Sequence, residues 1–272
     1  MPELPEVESA RAVIERGALG RRIVDVDDTD TYECRPHPPG EIRSALLGRR
    51  LTVAHRRGKS MWCETSGAGR SRLAGPVLGI HLGMSGKIVI ADPGGREIDG
   101  GDYWERGRAP GDYRWSRFSL TFADGGRLLL VDPRRLGRIR LDPVVEALGP
   151  DATVITDEAF ARVVTAGTAP VKGRLLDQHL IAGIGNLLAD EILWQARVRP
   201  GRPADEITRA EAKRLLAATR DAVGSALRDG GVHTLPIVAE RRPDGRCPRD
   251  GVPMTHGTVA GRTTWWCPAE QA

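Results

Sequence analysis

The spacing of apolar residues changes once along this 272-residue chain, and that change constrains the fold most strongly. From about residue 22 to 142, short apolar segments alternate with glycine-rich turns, a pattern that predicts β-strands. Residues 157–228 instead carry Ala and Leu at helical spacing, with no convincing strand. The sequence therefore predicts two domains of different class, joined by a proline-containing stretch near residues 143–150.

The first domain is expected to be largely β, a sandwich or a barrel, after an N-terminal helix over residues 5–18. A long loop is expected over the Gly-, Pro-, Asp- and Arg-rich residues 92–114, and Asp124-Gly125-Gly126 predicts a hairpin turn. The strands predicted by alternating or apolar segments are Arg22–Val26, Arg50–His55, Val77–His81, Lys87–Ile90, Arg117–Phe122 and Arg127–Val131.

The second half is expected to be helical, with turns and short extended pieces in the last thirty residues. The helices predicted there are Asp157–Thr165, Val171–Ile181, Asn186–Gln195 and Thr208–Arg228. The domain boundaries that follow are 1–142 for the β domain, 143–156 for a linker, 157–240 for the helical domain and 241–272 for a C-terminal hairpin.

The cationic residues indicate a polyanionic partner. Only four are lysines, so 36 of the 40 are arginines, and arginine grips phosphate bidentately. They cluster at residues 56–59, 134–140 and 241–249, although a solvated face explains any one cluster equally well. No apolar stretch is long enough to span a bilayer, no signal peptide is recognisable, and the four cysteines form no dense pattern. A cytosolic location without membrane contact is expected.

The N-terminal residues combine an amine with an acid. Removal of Met1 leaves Pro2 with a secondary amine, which attacks aldehyde carbons to give an iminium. An α-amino group titrates at roughly 7.7–8.0, so part of it is neutral and nucleophilic near neutral pH. Glu3 is close enough to exchange a proton with the same substrate. The segment also suits a helix start, since proline and acidic side chains favour the first turn.

Two turns are candidates for filling a gap in a DNA stack. In residues 81–86, Met84 suits a wedge between bases, although methionine more often fills a core. In residues 132–137, Arg134 suits pairing with a base left behind after flipping, while Leu136 occupies the gap.

A third turn, Gly183-Ile184-Gly185-Asn186, predicts a tight connection between two helices. The Asn186 amide and the free N–H groups of the following helix suit a DNA phosphate, and an ordinary helix hairpin capped by Asn is the alternative.

These pieces, in this order, resemble the formamidopyrimidine-DNA glycosylase/endonuclease VIII (Fpg/Nei) family of base-excision repair enzymes. The matching motifs are PELPEVE at the start, HLGMSG, DPRR-x-G, LLDQ-x4-GIGN-x2-ADE-x-L, and GRTT-x2-C at the end. The resemblance covers essentially the whole chain. It implies an α+β multidomain fold: an N-terminal helix with a two-sheet β-sandwich, a helix–two-turn–helix domain and a C-terminal β-hairpin finger.

The resemblance also implies a bifunctional DNA glycosylase and AP lyase that needs no cofactor. Pro2 matches the nucleophile that attacks C1′, and Glu3 matches the acid that protonates the opening sugar. Glu6 helps to position the lesion, and Lys59 matches a phosphate-binding lysine grouped with the catalytic residues. The expected partner is damaged double-stranded DNA, bound by a monomer in the bacterial cytoplasm, on the nucleoid.

Further residues match DNA contacts of the family. Met84 and Arg134 match two of three residues that fill the void after flipping, and Leu136 stands where many relatives carry phenylalanine. Asn186 matches a phosphate ligand, and Arg262 matches the arginine of the finger. Lys172 is also expected to bind DNA.

The chain departs from the family pattern in its finger. Asp250 and Glu270 replace the second cysteine of each zinc-binding pair, while Cys247 and Cys267 and the spacing remain. Because structural zinc sites prefer thiolate and imidazole ligands, we expect a finger without zinc. Packing of Trp265 and Trp266 would then support Arg262, although these tryptophans also suit an ordinary core.

A second departure concerns the lesion. Only residues 232–246 separate Gly231 from Cys247, where members that recognise 8-oxoguanine carry a longer loop that closes over the purine. Together with Leu136, this shifts the expected substrates towards ring-opened purines, oxidised pyrimidines or abasic sites.

Two rival functions were weighed against a glycosylase. A catalytically silent DNA-damage-binding protein on the same fold would not need Pro2, Glu3 and Lys59 together, so their presence argues against it. A zinc-dependent transcription regulator is disfavoured by the incomplete set of zinc ligands.

Overall fold

The computed structural model describes residues 2–67, 74–102, 111–145 and 147–271, and the chain divides into two compact units. The first unit contains residues 1–2 and 6–145, and the second contains residues 3–5 and 146–272. The second unit thus includes Glu3, Leu4 and Pro5 from the N-terminal end of the chain.

Two antiparallel sheets form the first unit, in the described residues. The five-stranded sheet has the order β1-β7-β8-β5-β6, and the four-stranded sheet has the order β2-β3-β4-β9. The strands are β1 Ile23–Asp27, β2 Leu51–Arg57, β3 Ser60–Thr65, β4 Leu78–His81, β5 Lys87–Ala91, β6 Glu97–Gly101, β7 Ser116–Phe122, β8 Arg127–Val131 and β9 Arg138–Leu141. The helices are α1 Leu4–Gly17, of which residues 6–17 belong to this unit, and α2 Glu41–Leu46.

The inward faces of both sheets share one apolar core with the buried side of α1. Val7, Ala10, Val13 and Ile14 recur at helical spacing and are fully or almost fully buried, which explains why an amphipathic helix covers this core. Strand β8 is apolar from Leu128 to Val131 because these residues are buried on both faces of the sheet. The two-sheet sandwich expected from the sequence is confirmed.

The six predicted strands are present with small shifts at their ends, and β7 and β8 join through the predicted turn at residues 124–126. Strands β3, β6 and β9 and helix α2 were not predicted. The expectation of a loop over residues 92–114 is wrong for Glu97–Gly101, which forms the edge strand β6, and residues 103–110 lie outside the described residues. Pairing with β5 stabilises this glycine-containing segment despite its low strand propensity.

The second unit packs its helices around a separate apolar core that also contains Leu4. Its helices are α3 Asp157–Val164, α4 Val171–Leu176, α5 Asn186–Gln195, α6 Arg209–Asp229 and α7 Pro236–Ala239. Helix α4 is shorter than predicted: the Asp177 carboxylate accepts a hydrogen bond from the His179 N–H, which favours a turn over another helical turn. Helices α4 and α5 with the turns between them form the expected helix–two-turn–helix.

The C-terminal residues form a hairpin of β10 Thr255–Val259 and β11 Arg262–Trp266, as expected. A small apolar cluster lies beneath it, and its buried members are Trp194, Ile237, Cys247, Met254, Trp265 and Cys267. The α+β multidomain class is confirmed. Within the parts of the chain that are described, no helix combines the length and apolarity needed to cross a membrane.

Candidate active site

Glu3 is held at the N-terminus of α5. Its side chain is fully buried, and its carboxylate accepts hydrogen bonds from the N–H groups of Gly185 (2.9 Å), Leu187 (2.8 Å) and Leu188 (3.1 Å). A helix N-terminus stabilises negative charge through these donors and its dipole. Glu3 is therefore fixed in position, and its neighbour Pro2 is also buried.

This arrangement changes the role expected for the turn at residues 183–186. The sequence predicts that free N–H groups at this helix start hold a phosphate, but three of them bond to Glu3. Gly183 has φ +114°, and a side chain there would press on Leu4. Gly185 has no room for a side chain beside the Glu3 carboxylate. The glycines therefore let the turn approach residues 3 and 4 closely.

Asn186 begins α5 and is half-buried. Its Nδ2 donates a hydrogen bond to the Thr263 carbonyl oxygen at 2.9 Å, so the side chain links α5 to strand β11. Its Oδ1 is buried and accepts no hydrogen bond from the described residues. The phosphate contact expected of Asn186 stays a prediction.

Lys172 corrects an expectation. The sequence places it among the DNA-binding residues, but its side chain is 0 % exposed, and its Nζ donates to Asp190 at 2.6 Å and to Thr264 at 2.7 Å. Burial lowers the pKa of Lys172, while Asp190 acts in the opposite direction. The ammonium group is thus enclosed between α5 and β11, and the structure assigns Lys172 a structural role.

Asp190 also holds the finger through two further donors. Arg241 Nε donates to its carboxylate at 3.0 Å, and the Trp265 N–H donates at 3.1 Å. Arg241 also donates to the Thr263 carbonyl oxygen at 3.1 Å. These bonds orient β11, on which Arg262 is exposed beside the hairpin turn.

In the first unit, the two predicted wedge segments lie together. Met84 is 38 % exposed, Arg134 is exposed, and Leu136 is half-buried. Gly83, with φ +60°, lies against the backbone of Leu136 so closely that a side chain would clash. We call residues 83–85 and 133–137 the two void-filling loops, after the role that the sequence predicts for them.

Asp132 organises both loops, and the sequence reasoning missed it. Its buried carboxylate accepts hydrogen bonds from the Ser85 hydroxyl and from the N–H groups of Arg134 (3.0 Å), Leu136 (2.8 Å) and Gly137 (2.9 Å). These donors lower the pKa of Asp132 against the opposing effect of burial. An aspartate ahead of a turn was the available signal, because this residue type commonly accepts from N–H groups that follow it.

Lys59 follows the tight turn at Gly58, between β2 and β3, and is half-buried. Its neighbour Arg56 is nearly buried and pairs with Glu8 at 2.9 Å, so the cluster at residues 56–59 is only partly a solvated face. Glu6, in the first turn of α1, is 2 % exposed.

The finger brings together three of the four residues at zinc-ligand positions. The ligand atoms of Cys247, Asp250 and Cys267 lie within 4.8 Å of one another. Glu270 instead lies 3.2 Å from Arg197 and 3.5 Å from Arg249.

The two finger thiols already have hydrogen-bond partners. Trp194 Nε1 donates to Cys247 Sγ at 3.4 Å, and the Cys267 thiol donates to Asp250 at 3.3 Å. Burial, with Cys247 and Asp250 nearby, raises the pKa of Cys267 to about 11. Three clustered donors, one of them a carboxylate, do not fit a structural zinc site of four thiolate or imidazole ligands. The zinc-free finger stays a prediction.

The shortened segment at residues 232–246 is anchored to the second unit. Val232, Leu235 and Ile237 are buried, and the Ile237 N–H donates to the buried Glu191 carboxylate at 3.0 Å. The first part of the segment, residues 232–237, is therefore anchored in the folded core.

Comparison with known proteins places both units in one family. The model of the formamidopyrimidine-DNA glycosylase N-terminal domain matches residues 1–139, and that of the H2TH domain of the same enzyme matches residues 147–235. The formamidopyrimidine-DNA glycosylase of a Nocardioides species is 33% identical over 100% of this chain and 94% of its own length. That of Acidothermus cellulolyticus is 38% identical over 85% of this chain and 78% of its own length.

Solved structures agree with these matches. A complex of Lactococcus lactis Fpg with DNA containing an oxidised pyrimidine has a TM-score of 0.79 at 26% identity, over 99% of each chain. A complex of the same protein with DNA containing N7-benzyl-Fapy-dG gives the same TM-score, identity and coverage. The chain belongs to the formamidopyrimidine-DNA glycosylase family.

Proposed function

We propose that this DNA-repair glycosylase binds damaged DNA and removes the damaged base with Pro2 as a covalent nucleophile, then cuts the strand as an AP lyase. Glycosylase activity and damaged DNA as the partner follow from membership of the family. The observation that best supports the covalent step is the rigid placement of Glu3, adjacent in sequence to Pro2, by three backbone N–H groups.

The proposed chemistry begins with attack of the neutral Pro2 nitrogen on C1′ of the damaged nucleotide. The bond from C1′ to the base breaks, and the departing base takes up a proton from solvent. The Glu3 carboxylate accepts the proton that the Pro2 nitrogen loses and passes it to the opening sugar oxygen. The resulting iminium acidifies the C2′ proton. Loss of that proton expels the 3′ phosphate by β-elimination, and a second elimination expels the 5′ phosphate.

The other predicted residues would bind and deform the duplex. Lys59 and Asn186 contact phosphates, and Arg262 contacts the DNA from the finger. Once the base is flipped, at a cost of a few kcal/mol of stacking, the void-filling loops occupy its place with Met84, Arg134 and Leu136.

The proposed lesions are ring-opened purines, oxidised pyrimidines and abasic sites. The short, anchored segment at residues 232–246 supports this choice, because its buried side chains hold it to the helical core. A cleavage panel of duplexes, each with one lesion and each opposite base, tests it. Faster excision of 8-oxoguanine than of every other lesion would contradict the assignment.

Borohydride trapping on abasic-site DNA tests the covalent step and separates it from damage binding without catalysis. We expect a covalent adduct that maps to the N-terminal peptide and is lost in Pro2→Gly. Absence of an adduct, or one that forms unchanged in Pro2→Gly, would favour the catalytically silent binder.

A further inference from the structure

The Glu33 carboxyl is buried beside the void-filling loops, and the proposed reaction assigns it no part. Its side chain is 0 % exposed, and neither oxygen has a well-formed hydrogen-bond donor among the described residues. A side chain on Gly137 would lie 2.5 Å from Oε2, so the carboxyl is in close contact with the second void-filling loop. The Ile139 N–H also donates to the Glu33 carbonyl oxygen at 2.9 Å, which fixes the backbone there.

The acidic neighbours of Glu33 favour its neutral form. Burial is the largest influence, and hydrogen bonding to Asp132 and the charges of Asp132 and Asp30 act in the same direction, so that the pKa of Glu33 rises to about 8. The guanidinium of Arg135 pairs with Asp30 at 2.8 Å. Burial likewise raises the pKa of the Cys34 thiol to about 12, so this neighbour stays uncharged.

Two guanidinium groups and one aromatic ring border the segment that carries Glu33. The Arg138 guanidinium lies over the Tyr32 ring, 5.4 Å from its centre, and Arg35 lies over the same ring at 4.2 Å. Neither guanidinium has an ion pair with Glu33 among the described contacts. The Asp132 carboxylate accepts from the N–H of Gly137, beside which the Glu33 carboxyl lies, and it is the acidic neighbour that acts most strongly on Glu33.

Of the two carboxyls, Glu33 is the protonated one, because the hydrogen-bond donors of the loops bind Asp132. Asp132 accepts four hydrogen bonds, from Ser85 and from three loop N–H groups, and these stabilise its ionised form. Two carboxylates that share a buried site do not both ionise readily. A neutral Glu33 carries an O–H group, and Asp132 is the acceptor beside it.

We propose that Glu33 is a positioning residue for base flipping: its carboxylic acid donates a hydrogen bond to Asp132 and thereby holds both void-filling loops in their folded form. This role rests on the proposed function, in which Met84 and Leu136 fill the space left by the flipped base. Glu33 itself touches no substrate.

The proposal predicts an alkaline loss of loop order. Because the pKa of Glu33 in the folded state is raised to about 8, its contribution to stability is fully present below the ordinary carboxyl range. The contribution is lost as the pH rises through about 8, where a second negative charge forms beside Asp132.

Binding to DNA that permits no chemistry tests the role. The probe is a duplex with a tetrahydrofuran abasic analogue, and its Kd is measured at about pH 6.5 and about pH 9 for the wild-type protein and for Glu33→Gln. The glutamine amide keeps a donor for Asp132 but does not titrate. At about pH 9 roughly one-tenth of Glu33 stays protonated. We therefore expect the ratio of Kd at the higher pH to Kd at the lower pH to be about tenfold larger for the wild type than for Glu33→Gln.

Equal Kd ratios for the two proteins would overturn the proposal, since the Pro2 amine and all other groups titrate in both. A carbon-detected NMR titration of the DNA-free protein, with the Glu33 signal assigned by its loss in Glu33→Gln, gives a second readout. We expect a midpoint near 8, and a midpoint in the ordinary carboxyl range would overturn the proposal. If the variant folds poorly, through-bond correlations in the wild type assign the signal instead. If the wild type at the lower pH binds the analogue duplex no more tightly than an undamaged duplex, the proposed function is contradicted. The role of Glu33, which depends on that function, is then contradicted as well.

Discussion

Glu3 shows how one carboxylate serves both local structure and proposed chemistry. Its three backbone donors leave little freedom for the side chain. Glu3→Gln keeps the shape but removes the charge and directs an amide NH2 at those N–H groups. We expect the free energy of unfolding in urea to fall by about 1–3 kcal/mol, the usual cost of disrupting a buried hydrogen bond to a charged group.

Glu15→Gln is the control for Glu3→Gln. Glu15 is 55 % exposed on α1 and pairs only with Arg11 among the described contacts, so its replacement is expected to change stability by less than about 0.5 kcal/mol. Equal stability of the two variants would show that the contacts of Glu3 at α5 add nothing to folding.

Lys172 and Lys213 form a matched pair for testing the buried ion pair. Lys172→Met leaves Asp190 inside the fold with Arg241 as its remaining cation. Breaking a buried pair costs roughly 3–5 kcal/mol, and we expect about 3 kcal/mol here because Arg241 stays. Lys213, exposed on α6, is expected to contribute less than about 0.5 kcal/mol. Urea unfolding measures both, and a near-neutral Lys172→Met would contradict the structural role assigned to Lys172.

The finger hairpin has packing and polar contacts with the helices, and we predict that it needs no metal. Trp265 stacks on His256 with ring centres 4.6 Å apart, and the Lys172–Asp190–Arg241 contacts attach β11 to the helices. We expect well under about 0.1 zinc per chain by elemental analysis, and a chelator should shift Tm by less than about 1 °C. About one zinc retained per chain after dialysis would refute the zinc-free finger.

A positive control for the finger restores the thiols. Asp250→Cys combined with Glu270→Cys recreates four cysteines at the spacing of a zinc site, and we expect about one zinc per chain with a higher Tm. Glu270 is half-buried, so we expect the loss of its contacts with Arg197 and Arg249 to cost about 1 kcal/mol, the upper end of the range for surface ion pairs.

Hydrophobic periodicity and turn residues predicted the long helices and strands, because these signals lie within a few neighbouring residues of the sequence. Helix α5 and strand β8 have the predicted bounds. Strand β6 was missed because its stability comes from pairing with β5, which local sequence does not encode. Helix α4 was overextended because the turn that ends it depends on a side chain bonding to the backbone.

The candidate site was likewise predicted only in part: side-chain identity was readable from the sequence, and tertiary contacts were not. Motifs indicated Pro2, Glu3 and the exposed Met84 as candidates, because the proposed chemistry depends on the identity of these side chains. Lys172 was misassigned because a lysine in a basic chain is usually exposed, and only the fold brings Asp190 and Thr264 to it. Glu33 was missed because its significance lies in its distance from Asp132, a residue far along the chain.

Charge across both units sets the response of DNA binding to salt. The chain carries a formal net charge of only +4, and several arginines are neutralised by carboxylates, among them Arg56 by Glu8 and Arg241 by Asp190. The number of cations available to phosphates is therefore smaller than the 40 in the sequence. We expect a moderate dependence of log Kd on log salt, set by a few contacts such as the one proposed for Lys59.

Lys59→Met tests whether Lys59 is one of these phosphate contacts. Each phosphate contact contributes about 0.9 to the slope of log affinity against log salt for B-DNA, so we expect this variant to lower the slope by about 1. The loss should be similar for damaged and undamaged duplexes, because a phosphate contact carries no information about the base. Lys213→Met, with the same change of charge on an exposed face of α6, should keep the wild-type slope. Equal slopes for Lys59→Met and the wild type would mean that Lys59 makes no phosphate contact, since removing a single bound cation must release one fewer counterion.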